Sequence, residues 1–122
     1  MSTITIEDAR NLTHQGLFNL VWERAKDRRK SFGNAGPDEE MLGCLYRGPN
    51  GLECFIGIAI PDVLYEVDME RRWSTDCVIN RVMPHIDHKF ARDLQFIHDL
   101  NGPEYWENML KDFADKHGLT VP

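Results

Sequence analysis

A turn signal between two apolar runs constrains the fold of this chain more than any other feature of its sequence. Residues 48–51, of sequence Gly-Pro-Asn-Gly, separate the run 44–47 from the run 52–62. Proline presets φ for the first central position of a type I turn, and glycine accepts the left-handed conformation that closes a bulged loop. The pattern therefore predicts a β-hairpin that places Arg47 opposite Glu53.

The register of this hairpin also assigns a side that faces the core. Tyr46 lies opposite Cys54 and Cys44 lies opposite Ile56, so alternate residues of the two strands share one face. That face is apolar, whereas the other face is mixed. The predicted core-facing residues are Cys44, Tyr46, Leu52, Cys54, Ile56, Ile58 and Ile60.

Capping signals and helical spacing predict helices on both sides of the hairpin. Thr5 begins a capping-box-like sequence, and the apolar spacing after it predicts one helix that continues toward Lys30. Ser74 or Thr75 caps a second helix, which ends before Pro84 because proline disfavours a helical residue before it.

Two further helices follow. Asp87 or Pro84 opens one that stops at Asn101, and Pro103 opens the last one, which ends at Gly118. We therefore expect a single α+β domain over residues 1–122, in which a β-hairpin or small antiparallel sheet packs against four to five helices.

Charge and composition narrow the class of partner. The 122 residues include 14 basic and 20 acidic side chains, a net charge of −6. This balance argues against binding to nucleic acid or an anionic membrane, and favours a protein partner. No apolar window reaches the ~18 residues of a membrane span, and the N-terminus lacks a leader pattern. The three cysteines suit a reducing compartment, so we expect a cytoplasmic protein.

A basic run ends the first predicted helix. Its cations complement the helix dipole and predict a solvated face, and a phosphate- or RNA-binding role is the alternative interpretation. The run comprises Arg24, Lys26, Arg28, Arg29 and Lys30.

Cys44 and Cys54 are the first candidates for chemistry. In the predicted hairpin they are diagonal on one face, with Cα atoms ~7–8 Å apart, at the outer limit for a disulfide. Zinc would need two further ligands, from His98 or from His85 and His88, and the cysteine spacing lacks the tight knuckle of common zinc sites. We expect core thiols, no metal and no cofactor.

The histidines are the second candidates. His85 and His88 lie close enough to share one metal with a nearby carboxylate, or they belong to an exposed polar first turn. His98 and Asp99 form the doublet found in metal-dependent phosphohydrolases, but that superfamily also needs a preceding histidine and a later aspartate. The alternative for His98 is a semi-buried residue hydrogen-bonded to a neighbour.

Residues 44–65 and 94–99 resemble a family of small proteins encoded in tailed phages and prophages. The shared pattern is Cys-x-Tyr-Arg, a turn with glycine, Cys, a glycine three residues on, then Asp and Tyr, and later Gln-x-x-His-Asp. Phe55 departs from it, because alanine is expected there. The resemblance implies that the protein is encoded by a phage or prophage, and it implies no mechanism. Any function that the family performs through its shared Cys, His and Asp residues would fall on Cys44, Cys54, Asp62, Tyr65, His98 and Asp99.

These observations predict a small phage-encoded accessory protein that binds a host protein in the host cytoplasm, with inhibition of that protein as one possible outcome. Acidic side chains would steer association and aromatic side chains would anchor it. The predicted binding residues are Asp38, Glu39, Glu40, Tyr65, Glu66, Asp68, Glu70 and Trp73. The second hypothesis is a metal-dependent hydrolase or other enzyme centred on His98 and Asp99, with His85, His88 or the cysteines.

Overall fold

The structure is a computed structural model that describes residues 4–28, 32–34, 42–44, 46, 53–66, 68–71 and 75–122. Most of these residues lie in helices. The α-helices are α1 (Ile6–Arg10), α2 (His14–Ala25), α3 (Asp68–Arg71), α4 (Thr75–Val82), α5 (His88–Leu100) and α6 (Trp106–His117). Short 3-10 helices cover Gly57–Ala59, Asp62–Leu64 and Pro103–Tyr105, and two short strands are β1 (Phe32–Asn34) and β2 (Leu42–Cys44).

The expected α+β class is wrong, because the described chain is a helical protein without the predicted hairpin. One backbone hydrogen bond of the predicted pairing is present, from Cys54 N–H to the Tyr46 carbonyl at 3.3 Å. The chain then turns, and Ile58 N–H donates to the Cys54 carbonyl at 3.2 Å. An unbroken apolar run suits a buried strand and a buried helical turn equally, so periodicity alone could not separate them. Arg47 lies outside the described residues.

The observed strand pairing is elsewhere in the chain. β1 and β2 are antiparallel, with Phe32 opposite Cys44 and Asn34 opposite Leu42. The predicted hairpin register required Ile56 opposite Cys44. The observed partner of Cys44 is Phe32. With three residues in each strand, this pairing does not form a layer of the described fold.

The first predicted helix is two helices. Thr5 and Asp8 form the expected capping box at the start of α1. A second N-cap follows, because the Thr13 side chain accepts the Gly16 N–H at 2.9 Å and begins α2. The break leaves the Leu12 carbonyl outside either helix, and His85 Nε2 donates to it at 2.6 Å.

The later helices are present with one difference, because Pro103 opens a 3-10 turn and α6 begins at Trp106. The Asp87 side chain accepts the Phe90 N–H at 3.0 Å and begins α5. α6 ends at Gly118, whose φ of 67° is left-handed, and Leu119 N–H returns to the Ala114 carbonyl at 2.8 Å. This is the Schellman geometry that the Gly-Leu sequence predicts.

The core lies between α2, α4, α5, α6 and residues 55–60. α6 packs on both α2 and α5, and the Gly57–Ala59 turn packs on α2. Each fully buried large apolar side chain contributes about 1.5–3 kcal/mol. The largest buried side chains are Trp106, Phe18, Phe55, Leu17, Ile56, Ile60, Met69, Ile79, Met83, Leu94, Leu110 and His98. Among the described helices, none is both long enough and apolar enough to span a bilayer.

Candidate functional site

A buried polar network joins the middle of α5 to the segment after the predicted turn. Gln95 Oε1 accepts the Ile56 N–H at 2.8 Å, and its Nε2 donates to Asp99 Oδ1 at 2.8 Å. His98 Nδ1 donates to the same carboxylate oxygen at 2.8 Å. The amide therefore satisfies a backbone group that the turn leaves without a strand partner, which is a structural role.

His98 lies inside the core. Its side chain is 0% exposed, and its ring stacks on Trp106 with centroids 5.2 Å apart and an interplanar angle of 23°. Phe55 contacts the same imidazole edge-on at 5.2 Å. The sequence interpretation of a histidine hydrogen-bonded to its neighbour matches this environment.

The other histidines have separate partners. His85 Nε2 donates to the Leu12 carbonyl, whereas His88 Nε2 donates to Asn80 Oδ1 at 3.0 Å. Over the described ranges, no three His, Cys, Asp or Glu side chains come together as a metal site. The structure therefore does not bring His98 together with His85 and His88.

Cys54 is a buried thiol outside any disulfide. Its Sγ accepts the Gly57 N–H at 3.1 Å. Burial raises the pKa of Cys54, and the nearby carboxylate of Asp99 adds to that rise, while the Gly57 hydrogen bond opposes it. A raised pKa keeps Cys54 in its thiol form. Because the thiolate is the form that acts as nucleophile and metal ligand, this cysteine has low reactivity. The side chain of Cys44 lies outside the described part of the chain.

Glu70 is hydrogen-bonded within the protein, although the sequence predicted it as part of an acidic binding surface. Its Oε1 accepts the Tyr46 N–H at 2.7 Å, and its Oε2 accepts the Tyr65 hydroxyl at 2.7 Å. The carboxylate thereby ties α3 to the segment after Asp62–Leu64 and to residue 46. Hydrogen bonds to a charged group stabilise by about 1.5–3 kcal/mol.

The predicted acidic and aromatic surface is therefore only partly assembled in the described chain. The structure brings Tyr65 and Glu70 together, and it leaves Glu66 exposed. Asp68 is described only as part of the α3 backbone. Asp38, Glu39, Glu40 and Trp73 lie outside the described residues.

Stability in alkaline solution should depend on Tyr46. Burial raises the pKa of Tyr46 from 10.0 to about 12, although a hydrogen bond with Thr75 lowers it. The neutral phenol therefore favours the folded state, and its contribution is full below pH 10.0 and lost as the pH rises through about 12. Urea unfolding of Tyr46→Phe across this range should show a shallower loss of stability than the parent protein.

Tyr105→Phe is the matched control, because Tyr105 is 59% exposed. It should keep the alkaline loss of stability of the parent. A Tyr46→Phe variant whose stability falls as steeply as that of the parent would contradict the assignment.

Arg24, the first cation of the basic run, is part of the folded core rather than of a binding surface. It is buried, its Nε donates to the Glu53 carbonyl, and its Nη1 donates to the Asp27 carbonyl at 2.8 Å. Its guanidinium lies 5.8 Å from the Trp106 ring centroid. The expectation of a solvated basic face fails at this residue, and only long-range packing could have revealed it.

A groove between α5 and α6 is the surface feature that the sequence analysis missed. It is a shallow depression, open to solvent, with a volume of about 440 Å³. Phe96 is 48% exposed and Leu100 is 74% exposed beside it, one turn apart on α5. The signal was present in the sequence, because both residues fall outside the core stripe of Phe90, Leu94 and Ile97. The lining residues are Lys89, Asp93, Phe96, Ile97, Leu100, Asn101, Met109, Phe113, Lys116 and His117.

The rim of this groove is mainly basic. Lys89 Nζ pairs with Asp93 Oδ2 at 2.9 Å, which neutralises that side. Lys116 is exposed in the last turn of α6. His117 next to it packs on Phe113, with ring centroids 4.2 Å apart. Two lysines against one acid leave a single net positive charge among the lining residues, on a chain of net charge −6.

No family model, curated protein or solved structure matches this chain. Those comparisons lend no support to the phage setting or to an inhibitor role, and the resemblance to phage proteins stays a prediction.

Proposed function

We propose that this protein binds a partner protein through the groove between α5 and α6, and that the partner contributes an acidic amphipathic helix. The observation that carries the proposal is the pair Phe96 and Leu100, exposed one helical turn apart beside a basic-rimmed groove. The proposal keeps the expected protein partner and moves its binding surface.

The apolar component supports a docked side chain. Single exposed apolar residues are common on protein surfaces, but Phe96 and Leu100 lie one turn apart on α5, and the half-buried Met109 of α6 lines the same groove. A fully buried side chain of this kind contributes about 1.5–3 kcal/mol. Covering the pair would therefore supply much of the affinity of a transient complex.

The shape supports a helical segment. Two neighbouring helices with a groove between them accept an amphipathic helix whose apolar anchors recur at i, i+3 or i+4, and i+7. The groove runs from Lys89 at the start of α5 to Leu100 at its end, and α6 forms the other wall. Since α5 has 13 residues, a partner helix of about three turns matches its length.

The charge supports an acidic segment. Lys116 has no ion-pair partner among the described residues, so it is available to a carboxylate from outside. Opposite charges across a rim mainly raise the association rate, and salt screens them. Acidic positions beside the apolar anchors of the partner would therefore match this rim better than basic ones.

The test uses two designed fluorescent peptides that share leucine anchors at helical spacing and differ in their flanking residues, glutamate in one and lysine in the other. The glutamate peptide should bind more tightly in a fluorescence anisotropy titration, and Phe96→Ala/Leu100→Ala should weaken it about tenfold or more. Amide shifts in an NMR titration should cluster along α5 and α6.

Val63→Ala is the matched control, because Val63 is 78% exposed and lies on another surface. It should leave peptide binding unchanged. Equal binding of both peptides, or equal loss with Val63→Ala, would refute the groove assignment. Reversible dimerisation that Phe96→Ala/Leu100→Ala abolishes would replace the foreign partner with a second copy of this chain.

A further inference from the structure

A second cavity lies on the other side of α6. Its volume is about 170 Å³, and it lies between the last turn of α2 and the first turns of α6. Trp22 and Ala25 line it from α2, and Pro103 and Leu110 line it from the opposite wall. The groove of the proposed function uses Met109, Phe113 and Lys116 instead, so the two surfaces share no lining residue.

The volume limits the ligand to a small molecule. An engineered apolar cavity of about 150 Å³ takes up benzene. The cavity beside Trp22 is slightly larger and open to solvent, so one aromatic ring with one or two polar substituents fits it. The half-buried indole of Trp22 offers a flat apolar surface for such a ring.

Two cations and one carboxylate add polarity to the cavity. Lys26, Arg28 and Glu107 line it together with the apolar residues. Lys26 Nζ pairs with Glu23 at 3.0 Å, and both side chains are 64% exposed, so this pair is weak and easily exchanged. Arg28 has no partner among the described residues.

This set of groups selects the charge of the ligand. A guanidinium presents a planar fork that matches a carboxylate with two hydrogen bonds. Glu107 is an acceptor that suits an amino or hydroxyl group on the same ligand. Because Lys26 already pairs with Glu23, an anionic group meets less competition at Arg28, which has no ion-pair partner among the described residues.

We propose that the cavity between α2 and α6 binds a small aromatic carboxylate that also carries a hydrogen-bond donor. The ring packs on Trp22 and Leu110, Arg28 holds the carboxylate, and Glu107 accepts from the donor. The site is independent of the groove between α5 and α6, so either proposal can fail without the other.

The probe is para-aminobenzoate, and its neutral analogue is para-aminobenzamide. An NMR titration of the full chain should show saturable amide shifts at Trp22, Ala25 and Leu110. Arg28→Met should weaken para-aminobenzoate about tenfold or more, because it removes a charge-assisted hydrogen bond. The same substitution should leave the weaker binding of the amide almost unchanged.

Two further variants test the remaining assignments. Ala25→Phe should fill the cavity and remove binding of both probes, with folding checked by circular dichroism. Glu107→Gln should reduce the preference for para-aminobenzoate over benzoate. Arg81→Met is the control, since Arg81 is an exposed arginine of α4 outside the lining.

The proposal is overturned if no saturable shift occurs at these amides with millimolar probe. It is also overturned if Arg28→Met and Arg81→Met have the same effect, or if Ala25→Phe folds and still binds both probes.

Discussion

Gly57→Ala should destabilise this protein by about 2 kcal/mol or more. A Cβ atom at this position would overlap the carbonyl oxygen of Tyr46 and lie 2.8 Å from its carbonyl carbon. Both atoms belong to the backbone, so no side-chain rotation relieves the contact. The Cys54 N–H to Tyr46 carbonyl hydrogen bond must then lengthen or break as the Gly57–Ala59 turn and residue 46 move apart.

Gly16→Ala is the matched control for the same chemical change. Its Cβ would meet Leu12 Cδ2 and Thr13 Oγ1 at 3.3 Å, and both are side-chain atoms. Alanine also favours helix over glycine by about 1 kcal/mol, so the net effect should stay within about 1 kcal/mol. Urea denaturation gives the free energy of unfolding for both variants. Similar stability of Gly57→Ala and the parent would show that the two segments do not approach this closely.

His98→Ala should cost about 3 kcal/mol, because it removes a buried aromatic contact and a charge-assisted hydrogen bond together. The ring lies between Trp106 and Phe55, and Asp99 accepts from its Nδ1. For a chain of this size, 1 kcal/mol corresponds to about 4 °C in melting temperature. Thermal unfolding followed by circular dichroism should therefore show a drop of about 12 °C.

Two histidine variants separate this role from others. His85→Ala removes an exposed imidazole with one hydrogen bond, to the Leu12 carbonyl, and should cost about 1 kcal/mol. His98→Phe keeps an aromatic ring between Trp106 and Phe55 and should retain part of the packing energy. If His98→Ala melted with the parent, the side chain would not be the core element that the geometry indicates, and the hydrolase hypothesis would gain weight.

Local signals in the sequence were sufficient for the second half of the helical fold. Asp87 and Gly118 each act on atoms within a few residues, the first as an N-cap and the second as a left-handed C-terminal residue. Such interactions are the same in a peptide as in the folded chain. For that reason the start of α5 and the end of α6 could be predicted closely.

Local sequence signals did not predict the structure correctly where the conformation of a segment depends on tertiary packing. The apolar residues 55–60 suit a strand or a buried turn, and the choice rests on Gln95, which lies 39 positions beyond Ile56 and binds its N–H. The candidate surfaces depended on packing as well. Glu70 has the composition of a steering acid, but Tyr46 and Tyr65 occupy both of its oxygens.

Single residues and their near neighbours were enough to predict the start of α5, the end of α6, the net acidity and the supply of apolar side chains. Packing between distant segments selects which polar side chains are buried. It buries Arg24 and His98, and it leaves Phe96 and Leu100 exposed beside a basic rim. Burial and hydrogen-bond partners are set by contacts between distant segments. Two arginines therefore differ in role, because Arg24 lies against Trp106 and Arg81 is exposed to water.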